Sequence, residues 1–141
     1  MSNLNIEPNL GIDVSSTVVL TFNKKNAIIE AGFGRNFKSN YEIWGSEGNI
    51  KVNRAYAVPN NFETKIEIEK NDKTEIIKNI PIDQTALMIK AFYEDIMKIT
   101  KCSFNFEREL LSQARVMEAV RLSNNKKKFI TLEEINWKKL H

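Results

Sequence analysis

Phe62-Glu63-Thr64-Lys65-Ile66-Glu67-Ile68-Glu69 is the stretch on which the fold turns. Apolar or threonine side chains alternate with charged ones, so an extended chain here has one dry face and one wholly charged face. Such a strand covers a core on one side and meets water on the other, the habit of an antiparallel sheet. Asn71-Asp72 follows as a turn, and Thr74–Ile80 returns as its partner.

The same period of two extends toward the N-terminus. Asp13–Phe22 carries the β-branched Val14, Thr17, Val18, Val19 and Thr21; Asn23-Lys24-Lys25-Asn26 supplies a turn and Ala27–Phe33 runs back. Tyr41 and Ile43, flanked by Glu42 and Trp44, form another strand. Gly45-Ser46-Glu47-Gly48 then suits a tight turn that needs positive φ, and Asn49–Arg54 returns. About six antiparallel strands in a meander, an open sheet, are expected. Met1–Asn9 is polar with isolated Leu4 and Ile6, without the basic start and apolar stretch of a secretory signal.

Beyond Pro81 the period lengthens to that of a helix. Asp83 is placed to cap a first helix whose stripe is Leu87, Met88, Ala91, Phe92, Ile96 and Ile99. A second, about Asn105–Ser123, lines up Phe106, Leu110, Ala114, Met117 and Val120 and stops at Asn124-Asn125. Phe129–Leu132 is expected as a last short strand and Glu133–Lys139 as a frayed helical tail. The fold class is therefore α+β: an open, mostly antiparallel sheet with two main helices packed on one face.

Size and composition agree with one domain, residues 1–141. The chain is 42% hydrophobic and 28% charged, ordinary globular proportions. Its one cysteine, Cys102, cannot close an intramolecular bridge, and its one histidine, His141, leaves no Cys/His spacing for zinc. A reducing cytoplasm is the expected compartment. No apolar run is long enough for a bilayer, so no membrane partner is expected. A net charge of +3, with Lys126, Lys127 and Lys128 as the nearest thing to a basic cluster, gives no reason to expect a nucleic-acid partner.

No catalytic residue, cofactor-binding residue or metal ligand is assigned. Gly32-Phe33-Gly34 begins like a dinucleotide turn but runs into a polar loop and a strand, with no third glycine and no helix. Cys102 has no base to pair with, and Glu67 with Glu69 belongs to one wet strand face. What remains suits binding. Arg35, Asn36, Asn40, Tyr41, Arg54 and Tyr56 fall near the ends of consecutive strands, where loops collect ligand contacts; arginine can clamp a phosphate and tyrosine can lie against a sugar or base. The plain alternative is that they are strand-end residues with packed stems and solvated heads.

Phe33 to Pro59, with Tyr41-Glu42-Ile43-Trp44-Gly45-Ser46-Glu47-Gly48 followed by a strand ending in Arg54-Ala55-Tyr56, resembles the C-terminal domain of the glucose-fructose oxidoreductase and inositol dehydrogenase (Gfo/Idh/MocA) family. It looks most like the branch acting on nucleotide-linked deoxysugars, the NDP-hexose 3-ketoreductases. Asp83-Gln84 before a helix with Ala91-Phe92, and Ala114-Arg115-Val116-Met117-Glu118-Ala119-Val120 with Ser123 behind it, look similar too, so the resemblance runs from Gly11 to about Leu132. It implies an open antiparallel sheet on helices, a homo-oligomer joined through the open sheet face, and a sugar or nucleotide-sugar substrate. It also implies NAD or NADP held by an upstream Rossmann domain. This chain departs from the family in lacking that Rossmann domain, the Glu-Lys-Pro segment and the Asp-x-x-x-His segment, so no catalytic residue carries over.

The expected function is the substrate-side and oligomerisation domain of an NAD(P)-dependent sugar oxidoreductase, inactive alone and binding no cofactor itself. The alternative is a stand-alone, non-catalytic binding or assembly module with the same fold.

Overall fold

The computed structural model describes residues 1–99 and 105–135. Seven strands, two α-helices and a 3-10 turn follow one another as β1 (Ser2–Glu7), β2 (Ile12–Phe22), β3 (Lys25–Gly32), β4 (Asn40–Gly45), β5 (Gly48–Asn53), β6 (Thr64–Lys70), β7 (Lys73–Asn79), α1 (Gln84–Ile96), α2 (Phe106–Lys126) and the turn Leu132–Glu134. The class is α+β with open antiparallel sheets, as the alternation implies. The strands divide into two meanders, β1-β2-β3 and β4-β5-β6-β7, where one sheet of about six is the expectation from sequence. They lie in two compact units: Met1–Arg35 with Phe104–His141, and Asn36–Ser103.

In the first unit, β2 and β3 close through the two-residue loop Asn23-Lys24 between the paired Phe22 and Lys25. Both loop residues have positive φ, 46° and 62°, the twist that suits a right-handed hairpin. Asn23 tolerates this backbone; Lys24 does not prefer it. Lys24→Gly is therefore expected to raise stability by about 0.5–1 kcal/mol, read from the urea midpoint at unchanged m-value.

β1 is the element that the polar N-terminus conceals. It pairs with β2 from Ser2↔Val18 to Glu7↔Ile12, with a register shift between Asn5 and Ile6. Its outer edge is covered by α2. The Ser2 N–H donates to Ser123 Oγ at 3.2 Å, the Leu4 N–H to Asn124 Oδ1 at 3.0 Å, and Ser2 Oγ donates to the Val120 carbonyl at 2.6 Å. Ser123 Oγ in turn donates to the Lys128 carbonyl at 2.6 Å. Side chains of a helix thus supply what a further strand would, and the edge is closed to other chains. Around this seam Val18, Ala119 and Ile135 form the buried apolar core, and Ser2, Ser123 and Asn124 are buried with them.

This arrangement explains why α2 outruns its expected end. Asparagine usually stops a helix by bonding its own backbone, but the Asn124 carboxamide is occupied by Leu4 and the helix continues to Lys126, ending at Lys127 in the left-handed region. At its other end Asn105 caps α2 by accepting from the Arg108 N–H at 2.9 Å, with Glu107 and Glu109 favourably placed in the first turn.

No strand forms over Phe129–Leu132; the expected strand is corrected to an irregular connection leading into the 3-10 turn. The Thr131 N–H donates to Glu134 Oε1 at 3.0 Å, and the Arg115 guanidinium donates to the Leu132 carbonyl at 3.0 Å, so these backbone groups are met by side chains rather than a partner strand. Of the expected helical tail Glu133–Lys139, residues 133 and 134 lie in the 3-10 turn and 136–139 lie outside the described residues.

The Thr131 hydrogen bond, despite opposing desolvation and with help from Lys128 and Lys126, holds the Glu134 carboxyl below its usual value. Because the folded-state pKa is the lower one, the linked stabilisation is present above the unfolded-state value and lost as pH falls through the folded one. An NMR titration should show Glu134 protonating below the usual glutamate value, and Thr131→Pro, which removes the donor, should raise it toward that value.

In the second unit, β6 and β7 close through Asn71-Asp72, again both at positive φ, 51° and 57°. The register places Ile43, Ile50, Ile68 in one row and Tyr41, Val52, Ile66, Ile77 in the next, all on one face. Asn40, Glu42, Trp44, Asn49, Lys51 and Asn53 fall on the other. α1 begins where expected: Asp83 Oδ1 accepts from the Ala86 N–H at 3.0 Å. Asp83→Ala should lower stability by about 1 kcal/mol and the helical circular-dichroism signal with it. The expected lodging of α1 on a dry sheet face does not hold in the same way: none of its residues is buried, and Leu87, Met88, Phe92 and Ile96 are all more than half exposed. Its apolar residues spread beyond one stripe to Ile89 and Tyr93, so no single packing face covers them.

Candidate functional site

Arg54 is the centre of the cluster built by the second unit. It follows β5 with φ at 55°, a left-handed backbone that a non-glycine residue takes up only when its surroundings hold it there. Its guanidinium carbon lies 4.4 Å from the Phe37 ring centroid and 5.4 Å from that of Phe62. Two aromatic faces thus steady one cation.

Beside it, the β4–β5 hairpin aligns polar side chains on one face, because the loop Ser46-Glu47 joins Gly45 to its partner Gly48 and so pairs Asn40 with Asn53 and Glu42 with Lys51. A depression of about 460 Å³ results, lined by Arg54, Lys38, Lys51, Asn40, Asn53 and Glu42 together with Phe37 and Ser39. Ser39 also ties the loops: its hydroxyl accepts from the Tyr56 N–H at 3.0 Å and donates to the Tyr56 carbonyl at 2.8 Å.

Of the six candidate residues, Asn40 and Arg54 line this depression. Tyr41 and Tyr56 meet one another, their ring centroids 6.3 Å apart and tilted by 49°, but Tyr41 belongs to the opposite, apolar face of the sheet. Asn36 is exposed and accepts from the Phe37 N–H at 3.1 Å. Arg35 ends the first unit, its side chain lying over Gly32. Lys38, Ser39, Lys51, Asn53, Phe37 and Phe62 were not among the candidates. The pairing with Asn40 and Glu42 would have found Lys51 and Asn53, since the glycine turn sets that register; the aromatic pair around Arg54 left no signal in spacing.

A Rossmann-type dinucleotide site needs a glycine-rich turn opening a helix, and the described residues hold none. Gly32 and Gly34 lead from β3 into an irregular loop, Gly45 and Gly48 close a hairpin, and the start of α1 carries the Asp83 carboxylate, which repels a phosphate. Cys102 and His141 lie outside the described residues. Among the described residues no group of three His, Cys, Asp or Glu side chains is placed to hold a metal ion, and no helix is long and apolar enough to cross a membrane. Lys127 and Lys128 of the lysine run are engaged locally, with Asn124 Oδ1 at 3.1 Å and Glu134 at 3.5 Å.

The relatives of this chain are nucleotide-sugar ketoreductases. A dTDP-3,4-didehydro-2,6-dideoxy-alpha-D-glucose 3-reductase of Saccharopolyspora spinosa is 28% identical over 117 residues, 78% of this chain and 35% of that enzyme. The enzyme of the same description from Actinomadura kijaniata is 29% identical over 105 residues, 74% of this chain and 29% of its own length. A crystal structure of a 3-ketoreductase from Actinomadura kijaniata with NADP and TDP-benzene superposes with a TM-score of 0.79 at 26% identity, covering 86% of this chain and 37% of that one. Its open conformation gives a TM-score of 0.67 at 25% identity, over 72% of this chain and 33% of that one. The chain thus spans about a third of the length of the curated relatives it matches. No protein-family model matches it.

Proposed function

We propose that this chain is the C-terminal, substrate-side domain of a Gfo/Idh/MocA-type oxidoreductase that reduces a nucleotide-linked keto sugar with NADP. Under this reading residues 1–141 act as one domain, and the nicotinamide is held by a Rossmann domain of the parent enzyme. The single observation that supports it is the structural likeness to the NADP- and TDP-benzene-bound ketoreductase over 86% of the chain. A cofactor of this kind supplies the hydride, while the protein binds and orients the two reactants. The part left to this chain is orientation: Arg54, Asn40, Lys51 and Asn53 offer donors on one rigid hairpin face, and no proton donor or acceptor for the sugar carbonyl is assigned to them. Assembly through the apolar face of β4–β7, centred on Ile43, Ile50, Ile66 and Ile68, accounts for side chains that an isolated sheet leaves half-covered.

Calorimetry tests the division of labour. The isolated 141-residue chain should show no micromolar binding of NADP or NADPH; a micromolar site would overturn the reading. A continuous reading frame upstream of Met1 encoding a glycine-rich strand-turn-helix is the matching genomic expectation, whereas a stop codon there would favour the stand-alone module.

A further inference from the structure

From the surroundings of Arg54 we infer that the depression between Lys38, Lys51 and Arg54 is an anion subsite for a diphosphate group, the part of a sugar nucleotide that joins base to sugar. The inference deepens the reading above and rests on it for the identity of the physiological ligand, but its geometry stands by itself. Arginine in a folded protein usually spends its five N–H donors on carboxylates or carbonyls. Among the described residues, Arg54 has neither an ion pair nor a hydrogen bond: its only contacts of note are the rings of Phe37 and Phe62. The backbone is held in the left-handed region at the same residue. A guanidinium so fixed, with its donors unspent beside a cavity, is preorganised for an incoming anion and loses little freedom on binding.

Charge at the depression points the same way. Among the lining residues Lys38, Lys51 and Arg54 meet one carboxylate, Glu42; Glu67 is paired with Lys51 on the same face, yet among the described residues neither Lys38 nor Lys51 is within ion-pairing distance of an acid. Asn40 and Asn53, directly paired across β4 and β5, add carboxamide donors on the same face. Three cations and two amides match a group carrying two to three negative charges and several acceptor oxygens better than a neutral sugar ring or a lone carboxylate. A depression of about 460 Å³ is also larger than one phosphate requires.

The test titrates inorganic pyrophosphate and, separately, TDP into the full chain by calorimetry at low and moderate salt. Both should bind, with pyrophosphate competing against TDP and affinity falling as salt rises. Arg54→Gln should weaken pyrophosphate by about 10–100-fold and Lys51→Gln by about 3–10-fold, while Lys98→Gln, away from the depression, changes neither. Circular dichroism and the urea midpoint identify any variant that has lost its fold; Lys38→Gln, at an exposed loop position, provides an independent variant, with a loss like that of Lys51→Gln. Pyrophosphate binding that is absent, or equal in all variants, overturns the subsite. TDP that binds wild type and Arg54→Gln alike would overturn the subsite yet leave the nucleotide-sugar reading standing. A micromolar NADP site that survives Arg54→Gln and is not displaced by pyrophosphate would do the reverse.

Discussion

Gly48→Ala should cost about 2–4 kcal/mol, a large share of the 5–15 kcal/mol that holds a typical domain together. Two effects add. Gly48 has φ at 156°, where a side chain is rarely tolerated, and a Cβ built there collides with the carbonyl oxygen of Glu69 on the neighbouring strand. That oxygen belongs to backbone in the β5–β6 ladder, so it cannot swing aside as a long side chain would. Relief requires β5 and β6 to separate at their ends, which also disturbs the pairing of Gly45 with Gly48 and the register of Asn40, Glu42, Lys51 and Asn53 behind it. The expected result is a lower urea midpoint together with loss of pyrophosphate binding. Gly45→Ala is the comparison: its Cβ would meet the Gly48 carbonyl at 3.3 Å, a tight contact that a loop can relax, so a smaller loss is expected.

Ser123→Ala should be nearly as damaging, by about 2–4 kcal/mol, for a different reason. Ser123 is 3% exposed, and its single hydroxyl accepts from the Ser2 N–H and donates to the Lys128 carbonyl. Alanine fits the space but leaves a donor and an acceptor unpaired where water has little access, and each such group costs about 1–3 kcal/mol. Hydrogen exchange gives a residue-level reading: the Ser2 amide should lose protection in Ser123→Ala, and the Leu4 amide in Asn124→Ala. Ser112→Ala, at an exposed position of the same helix, should shift stability by no more than about 0.5 kcal/mol. An unchanged midpoint in Ser123→Ala would mean that the β1 edge is satisfied by some other group.

Much of the fold is legible in the sequence wherever side-chain periodicity meets an unambiguous turn. The six strands from Ile12 to Asn79 appear within a few residues of their expected limits because Asn23-Lys24, Gly45 to Gly48 and Asn71-Asp72 mark the reversals chemically. Helix α1 begins after Asp83 for the same kind of reason. β1 escapes because its stability lies in contacts with Ser123 and Asn124, more than a hundred residues away, and its own alternation is weak. The division into two sheets escapes too, since nothing local distinguishes a connection that continues a sheet from one that starts another.

The candidate depression was legible only in part. Strand ends rich in Arg, Asn and Tyr pointed to Asn40 and Arg54, and the family resemblance pointed to a sugar nucleotide. Tyr41 falls on the wrong face for the depression because position along a strand, and not proximity to its end, decides which face a residue takes. Arg35, adjacent in sequence to Asn36, falls in the other compact unit. The stacking of Arg54 between Phe37 and Phe62 depends on loop conformation, which carries no repeat to read.

The edge of β1 has a bearing on synthesis as well as on stability. Ser2 and Leu4 find their partners 121 and 120 residues later, whereas each strand from β5 to β7 pairs with the one made just before it. On a translating ribosome the hairpins of residues 36–79 are free to assemble while the first strand still waits, its outer amides bare, for a helix that has not yet emerged. Until α2 arrives, that waiting edge is the place where one nascent chain is most apt to recruit another.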